Sequence, residues 1–276
     1  MTASTIGVFD SGFGGLTVLR SLVQRMPSAR YAFLGDTARL PYGSKSRRTI
    51  ARYAAESAQF LVNQQGAEFL VIACNTASAL ALDAIQESVP VPVLGVIEPG
   101  ADAAKASTAT GDVLVIATDA TVHSHAYAAA CQARGLRALE KACPLLVPLV
   151  EEDWTGPSDS PQADVTGKVI RIYLDELLAD AAAHGMQPDT LVLGCTHYPL
   201  LRPLLEAAVP AGMRVIDSAD SAAHAAAKQF NGRASALSSA TAIRCFATDS
   251  VEKFERLGSR FLGRSTGPVG LVDLGG

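Results

Sequence analysis

The sequence predicts an α/β protein with two pseudo-symmetric lobes, each built on a mainly parallel β-sheet flanked by helices. Three observations support this fold class. Apolar runs of strand length alternate with helix-like segments, the apolar runs lack strict polar alternation, and the same order of motifs occurs twice. A chain of 276 residues that is 49% hydrophobic and 18% charged is long enough to bury a sizeable core.

The predicted strands are short runs rich in Val, Ile and Leu. In chain order they cover 5–10, 30–36, 69–74, 91–96, 111–118, 190–195 and 214–219, and the Gly-rich tail "STGPVGLVDLGG" contains one further short candidate. Helix-like segments such as "RRTIARYAAESAQFLVNQQG" and "TGKVIRIYLDELLADAAAHG" lie between them. This alternation of strand and helix is typical of βαβ units, which predict parallel strand pairing.

Two passages of the chain begin alike, which predicts the division into lobes. "IGVFDSGFGGLTVL" and "VLVIATDATVHSHAY" each follow a strand with a polar turn, and each passage later reaches a strand that ends in cysteine. We expect a first lobe of residues 1–97 with 208–276, and a second lobe of residues 98–207. Joining the last segment to the first lobe keeps the lobes similar in size, and we expect the active site in the cleft between them.

Composition excludes several classes of partner. The net charge of −4 and the absence of a long basic run give no reason to expect nucleic-acid binding. The N-terminus lacks the pattern of a secretory signal, and no apolar run reaches the roughly 18–20 residues of a membrane span. The five cysteines are widely spaced with no C-x-x-C pair, so we expect a reduced, cytoplasmic protein without a disulfide framework.

Two cysteines stand at the ends of predicted strands, in "LVIACNTASAL" and "LVLGCTHYPLL". A single cysteine after an apolar run is commonly part of the core. Ligands of parallel α/β sheets, however, bind outside the carboxyl ends of the strands, where Cys74 and Cys195 stand. Each is followed by polar residues predicted to open a helix, which favours a thiolate. We therefore expect Cys74 and Cys195 to be functional, Cys131 and Cys245 to be core residues, and Cys143 to remain ambiguous.

Other polar residues near predicted strand ends are candidates for the same site. His197 follows Cys195 by two positions and can exchange protons with a thiol. A metal site made of Cys74, Cys195 and His197 stays open as an alternative, although C-x-H is not a recognised zinc spacing. Glu151 follows an apolar segment and is either a solvated helix residue or part of the site.

The turn "FDSGFGGLTVL" joins a predicted strand to a helix. It matches neither the dinucleotide fingerprint nor a phosphate-binding P-loop. Ser11 is either a helix cap or, together with the Asp10 carboxylate, a group in the same cleft as the cysteines. The loop "GDTARLPYGSKS", which contains Tyr42 and Gly43, has the polar composition of a binding loop.

Six blocks of sequence resemble the motif series of bacterial glutamate racemases, in the aspartate/glutamate racemase superfamily. They run in the family's order from about residue 6 to 219: "IGVFDSGFGGLTVL", "GDTARLPYGSKS", "ACNTASA", "GVIEPGA", "CPLLVPLVEE" and "LGCTHYPLL". One departure is Ala117-Thr118, where the family usually has Gly-Thr. We expect it only to stiffen a turn.

The resemblance implies that L- and D-glutamate are interconverted by two cysteines without a cofactor or a metal. Cys74 would handle the α-proton of the D-enantiomer with help from Asp10. Cys195 would handle that of the L-enantiomer with help from His197, and Glu151 would support it. The implied substrate-binding residues are Asp10, Ser11, Tyr42, Gly43, Asn75, Thr76, Thr118, Thr121, Thr196 and His197.

Two opposed thiols suit this reaction, because racemisation removes a proton from one face of Cα and delivers one to the other. The lysines fall in polar or helical contexts, so no Schiff-base lysine for a pyridoxal cofactor is evident.

The resemblance further implies a homodimer that supplies D-glutamate for peptidoglycan, and so for cell wall biogenesis and cell shape. A racemase of another acidic amino acid, such as aspartate, is the alternative.

Overall fold

The computed structural model describes residues 4–157, 159–230 and 241–275. The chain divides into two compact units, Met1–Val96 with Ala222–Gly276, and Ile97–Ser221. The return to the first unit comes at Ala222 rather than at the expected 208. The reason is strand pairing, since the last strand before this point belongs to the sheet of the second unit.

The first unit contains a parallel sheet of six described strands. They are β1 (Thr5–Asp10), β2 (Arg30–Gly35), β3 (Ala67–Ile72), β4 (Val93–Gly95), β9 (Ala242–Ala247) and β10 (Val269–Leu271). Their order across the sheet is β10-β9-β2-β1-β3-β4, and each neighbouring pair is parallel. The carboxyl ends of β1, β2 and β3 therefore lie next to one another at one edge.

Helices follow most strands of this unit. They are α1 (Leu16–Arg25), α2 (Arg47–Asn63), α3 (Asn75–Leu80), α4 (Leu82–Ser88) and α12 (Val251–Leu262), with a short 3-10 helix at Tyr42–Ser44. The turn from β1 into α1 is tightly packed. A Cβ at Gly15 would lie 2.6 Å from Cβ of Asp10 and 2.9 Å from Cβ of Ala73. Glycine at this position therefore lets the turn approach the ends of β1 and β3.

The second unit contains a parallel sheet of four described strands. They are β5 (Asp112–Ala117), β6 (Arg137–Ala142), β7 (Thr190–Gly194) and β8 (Arg214–Asp217), in the order β6-β5-β7-β8. The helices are α5 (Ile97–Ser107), α6 (Asp119–Ser124), α7 (Ala126–Gln132), α8 (Leu146–Glu151), α9 (Pro161–Ala183) and α10 (Arg202–Ala208), with a 3-10 helix at Tyr198–Leu201. Helix α11 (Ser218–Phe230) begins here and continues into the first unit.

The two parallel sheets flanked by helices confirm the predicted fold class. Two strands, β6 and β9, lie outside the predicted set. Both carry charged side chains within a partly exposed strand, and so neither forms the continuous apolar run that marks a strand buried on both faces. Across the described parts of the chain, no helix combines the length and the apolar character needed to span a membrane.

Candidate active site

The first unit gathers polar residues at the carboxyl ends of two neighbouring strands, β1 and β3. Asp10 is the last residue of β1, and Cys74 lies two residues beyond the end of its neighbour β3. The backbone N–H groups of Ala73 and Cys74 both donate to the carbonyl of Phe9, at 2.8 and 3.4 Å. This pairing fixes Cys74 beside the Asp10-Ser11 turn, and we call Asp10, Ser11 and Cys74 the first cysteine cluster.

The thiol of Cys74 is almost fully buried and hydrogen-bonded on two sides. Its sulfur accepts from the backbone N–H of Ala77 at 3.4 Å and so caps α3, and the thiol donates to Oγ of Ser11 at 3.4 Å. Burial, and after it the charge of Asp10, raises the pKa of Cys74 to about 12, although these hydrogen bonds partly oppose the shift. Cys74 is therefore a protonated thiol at neutral pH.

The carboxylate of Asp10 folds back on its own turn. Its Oδ2 accepts from the N–H of Gly12 at 2.9 Å, and the side chain is 2% exposed. The sequence left open whether Ser11 caps the following helix. It does not, because the N-cap of α1 is Gly15 and no side chain caps it. Ser11 instead contacts the sulfur of Cys74, which agrees with the functional interpretation.

Four further predicted residues belong to the same unit. Asn75 and Thr76 are the first two residues of α3, directly after Cys74, and both are buried. Tyr42 and Gly43 lie in the 3-10 helix that follows β2. The side chain of Tyr42 is 1% exposed, and its hydroxyl donates to Asp36. The Tyr42 side chain is therefore directed into the interior of the unit.

The second unit holds a cysteine with an acid–base pair. Cys195 follows β7 directly, and its Sγ lies 3.9 Å from Nδ1 of His197. The other ring nitrogen, Nε2, lies 3.2 Å from Oε1 of Glu151, which ends α8. The imidazole of His197 is 12% exposed and the Glu151 side chain 24%. Cys195, His197 and Glu151 form what we call the second cysteine cluster.

His197 is held in its charged form by its two neighbours. Burial alone would lower its pKa, but hydrogen bonds and charge interactions with Cys195 and Glu151 raise it to about 10. The imidazole can therefore carry a proton beside the sulfur at neutral pH, and Glu151 orients and stabilises that state.

The predicted site threonines of the second unit lie near the ends of β5 and β7. Thr118 follows β5, the neighbour of β7, and its Oγ1 is 2.9 Å from Oγ1 of the buried Thr121. Oγ1 of Thr196 lies 3.5 Å from Nδ1 of His197. The expected helix directly after Cys195 is wrong, because Thr196 and His197 form a turn that leads into the 3-10 helix at Tyr198–Leu201.

Several residues near the cysteines are not among those singled out from the sequence. The hydroxyl of Tyr198 donates to the carbonyls of Ala117 and Cys143, at 3.2 and 3.0 Å. Tyr198 thus ties the turn after Cys195 to the ends of two other strands. Asp36 directly follows the last residue of β2, and its carboxylate is buried. Its signal in the sequence is an Asp directly after the apolar run 30–35, with an Arg three residues later.

The five cysteines are all buried free thiols. This confirms the core assignment of Cys131 and Cys245, and it shows that Cys143 is buried too. Burial is the main cause that raises the pKa of Cys143 to about 12. Within the described residues, no group of three or more His, Cys, Asp or Glu side chains is arranged to hold a metal ion.

Comparison with known proteins identifies the family of this chain. The family model described as Asp/Glu/Hydantoin racemase matches residues 6–226. The glutamate racemase of Koribacter versatilis is 51% identical, with 98% of each chain covered. That of Geobacter metallireducens is 43% identical, with 99% of this chain and 98% of the relative covered.

Solved structures give the same result. Glutamate racemase of Francisella tularensis in complex with D-glutamate matches with a TM-score of 0.86, 32% identity and 98% coverage of each chain. The Escherichia coli glutamate racemase in complex with L-glutamate and the activator UDP-MurNAc-ala matches with a TM-score of 0.77, 29% identity and full coverage of both chains. An aspartate racemase of Picrophilus torridus shares only the fold, with a TM-score of 0.56 and 18% identity over 82% of this chain and 94% of its own. The fold, the two cysteine clusters and the full-length relatives lead to one conclusion: the chain belongs to the Asp/Glu/hydantoin racemase family and, within it, to the glutamate racemases.

Proposed function

We propose that this protein interconverts L- and D-glutamate by proton transfer at Cα, without pyridoxal phosphate, using Cys74 and Cys195 as the two acid–base groups. The observation that carries the proposal is the pairing of each thiol with its own proton-handling partner. Cys74 lies beside the Asp10 carboxylate, and Cys195 lies beside the His197 imidazole backed by Glu151. Each thiol would act on one face of the substrate.

The two clusters differ in a way that fits the roles of acid and base. Cys74 is protonated at neutral pH, because burial and Asp10 raise its pKa to about 12. Cys195 contacts an imidazole that can be charged and can stabilise a thiolate. We infer that Cys195 removes the α-proton of L-glutamate while Cys74 delivers a proton to the opposite face, which yields D-glutamate.

The reverse reaction uses the same groups with their roles exchanged. Asp10 lies close enough for its charge to affect Cys74, and we propose that it accepts the thiol proton before Cys74 attacks D-glutamate. His197 then holds the proton that returns through Cys195. Both assignments require one thiolate and one thiol in each direction, so each thiol needs a neighbour that can exchange its proton.

The weak acidity of the Cα–H bond is the main chemical obstacle. The developing negative charge needs fixed hydrogen-bond donors in a site that excludes water. We propose that the donors are the hydroxyl, amide and backbone N–H groups of residues in the two units. They are Ser11, Tyr42, Gly43, Asn75, Thr76, Thr118, Thr121, Thr196 and His197. They lie in turns that follow strands or in the first turn of the helices that come next, where their backbone groups are not all used by the sheet.

Glutamate is the proposed substrate because of the relatives. Full-length relatives at 43–51% identity are glutamate racemases, and the Francisella and Escherichia structures hold D- and L-glutamate. Circular dichroism measures racemisation of glutamate and of aspartate separately. Turnover of glutamate supports the proposal, and turnover of aspartate alone would replace it with the alternative.

The biological role follows from the product. We propose that D-glutamate made by this protein enters peptidoglycan synthesis, and so supports cell wall biogenesis and cell shape, in the cytoplasm. We also propose that the protein is a homodimer. A strain that lacks the protein should grow only with added D-glutamate, and light scattering of the purified protein should give twice the chain mass.

Single substitutions test the chemistry with controls from the same chain. We expect Cys74→Ala and Cys195→Ala each to abolish racemisation. Cys245→Ala and Cys131→Ala each remove a buried thiol that belongs to neither cluster, in the first and second unit respectively, and should retain turnover. If either of the first two variants kept normal turnover, the two-thiol mechanism would be wrong.

A further inference from the structure

A fully buried carboxylate lies at the end of β2, beside the first cysteine cluster. Asp36 follows Gly35, the last residue of β2, and its N–H donates to the carbonyl of Asp10 at 3.0 Å. Its side chain is 0% exposed. A buried charge of this kind persists only with good partners, since taking an isolated carboxylate out of water costs several kcal/mol or more.

Asp36 has partners on three sides. Nε of Arg39 donates to both carboxylate oxygens, at 2.9 and 2.8 Å. The Tyr42 hydroxyl donates to Oδ2 at 2.5 Å, and the Thr248 hydroxyl donates to Oδ1 at 3.0 Å. Arg39 itself is 8% exposed, forms a second ion pair with Glu56 and stacks 4.2 Å from the ring centre of Tyr53. The carboxylate is therefore held rigidly from several directions.

Stability alone does not explain this arrangement. A buried ion pair often contributes no more than well-packed apolar residues of the same volume, because desolvation offsets the attraction. What the pair does is to hold one acceptor fixed for the hydroxyl of Tyr42. Burial and the charge of Asp36 raise the pKa of Tyr42 far above its ordinary value, so the phenol stays protonated and keeps donating.

Tyr42 connects this carboxylate to the substrate side of the unit. Its ring packs 6.2 Å from those of Phe9 and Tyr53, and Cys74 lies near enough to interact with it electrostatically. Because the hydroxyl is used by Asp36, the part of the Tyr42-Gly43 turn left for a ligand is its backbone. The position of that backbone depends on where the tyrosine side chain is anchored.

Building on the proposed racemase function, we propose that Asp36 is a positioning residue for substrate binding: its carboxylate, fixed by Arg39, anchors the Tyr42 hydroxyl and so sets the backbone of Tyr42 and Gly43 against the glutamate. Asp36 touches neither the substrate nor a reacting atom. Its effect is on binding geometry, where displacements well below 1 Å matter.

The sharpest test removes one hydroxyl and leaves the ion pair intact. In Tyr42→Phe the ring and the Asp36–Arg39 pair remain, so the variant should fold. A hydrogen bond to a charged group corresponds to a factor of about ten or more in an equilibrium constant. We expect the KM for glutamate to rise about tenfold while kcat stays within about twofold. Asp36→Asn should also raise KM. The KM of the double variant should be no higher than that of the single variant with the higher KM, because both substitutions remove the same contact.

A matched control separates positioning from general stability. Thr248→Val removes the other hydroxyl that donates to Asp36, on the oxygen that Tyr42 does not use. We expect it to lower the melting temperature without changing KM. An equal rise in KM for Thr248→Val and Tyr42→Phe would overturn the proposal, and so would an unchanged KM in Tyr42→Phe or a loss of kcat alone.

Failure of the positioning proposal can be distinguished from failure of the proposed racemase function. If the wild-type protein does not racemise glutamate, the racemase proposal fails. Calorimetric titration of the same variants with glutamate then tests the positioning directly. We expect Tyr42→Phe to raise the Kd for glutamate about tenfold, the factor expected for KM. Tyr42→Phe and wild type with equal Kd would refute it.

Discussion

The His197–Glu151 contact gives a prediction whose size and pH range follow from the structure. Glu151→Gln keeps the shape of the side chain but removes the charge that lies 3.2 Å from Nε2 of the imidazole. A hydrogen bond between charged partners contributes about 1.5–3 kcal/mol, which corresponds to roughly 1–2 pKa units. We therefore expect the pKa of His197 to fall from about 10 to between about 8 and 9. It should stay above 6.5, because the contact with Cys195 remains.

The sign of the stability change follows from the same shift. The pKa of His197 is raised from 6.5, so its protonation stabilises the fold fully below pH 6.5, and this contribution is lost as the pH rises through about 10. Urea unfolding should show Glu151→Gln less stable than wild type by about 1.5–3 kcal/mol near pH 6.5, with the gap closing by about pH 11.

The assay combines this unfolding series with an NMR titration of the imidazole signals. Glu152→Gln is the control, because Glu152 is the adjacent carboxylate and is exposed to solvent. Glu152→Gln should leave the pH dependence of stability and the NMR titration of His197 unchanged. An unaltered titration of His197 in Glu151→Gln would refute the reasoning. So would a difference in stability between wild type and Glu151→Gln that is the same near pH 6.5 and at about pH 11.

Three further substitutions test other contacts. Asp10→Asn should lower the pKa of Cys74 below about 12 but not to 9, because burial is its main cause; an unchanged thiolate absorbance titration would contradict this. Gly15→Ala places a Cβ 2.6 Å from that of Asp10 and should lower the free energy of unfolding by about 1–3 kcal/mol together with kcat; a wild-type urea midpoint would argue against the packing. Tyr198→Phe should destabilise by about 1–2 kcal/mol with little change in KM, since its hydroxyl binds two carbonyls; a large rise in KM would give it a role in binding.

The sequence predicts the parts of this molecule that depend on local pattern. Apolar runs that end at Asp10, Cys74 and Cys195 identify the buried parallel strands and the edge where polar groups collect. The pairing of Cys195 with His197 is visible because the two residues are neighbours in the chain. Burial of a strand on both faces leaves a strong signal, and this is why the fold class is accessible without coordinates.

Contacts between distant residues leave no such signal. Thr248 reaches Asp36 across 212 positions, and no spacing rule connects them. Strand β6, at the edge of its sheet, carries charges and so lacks the apolar run of a central strand. The return to the first unit at Ala222 depends on the pairing of β8 with β7, which is a tertiary choice. The contact of Thr248 with Asp36 therefore became visible only in the structure.

Racemisation in D₂O tests the two-thiol account most directly. Glutamate of one configuration is incubated with the protein until a small fraction has reacted, and deuterium at Cα is then measured in both enantiomers. If Cys74 and Cys195 each serve one face, the product carries one solvent deuterium while the remaining substrate stays almost unlabelled, starting from either enantiomer. Substrate that gains deuterium as fast as product forms, in both directions, would indicate a single base and contradict the account.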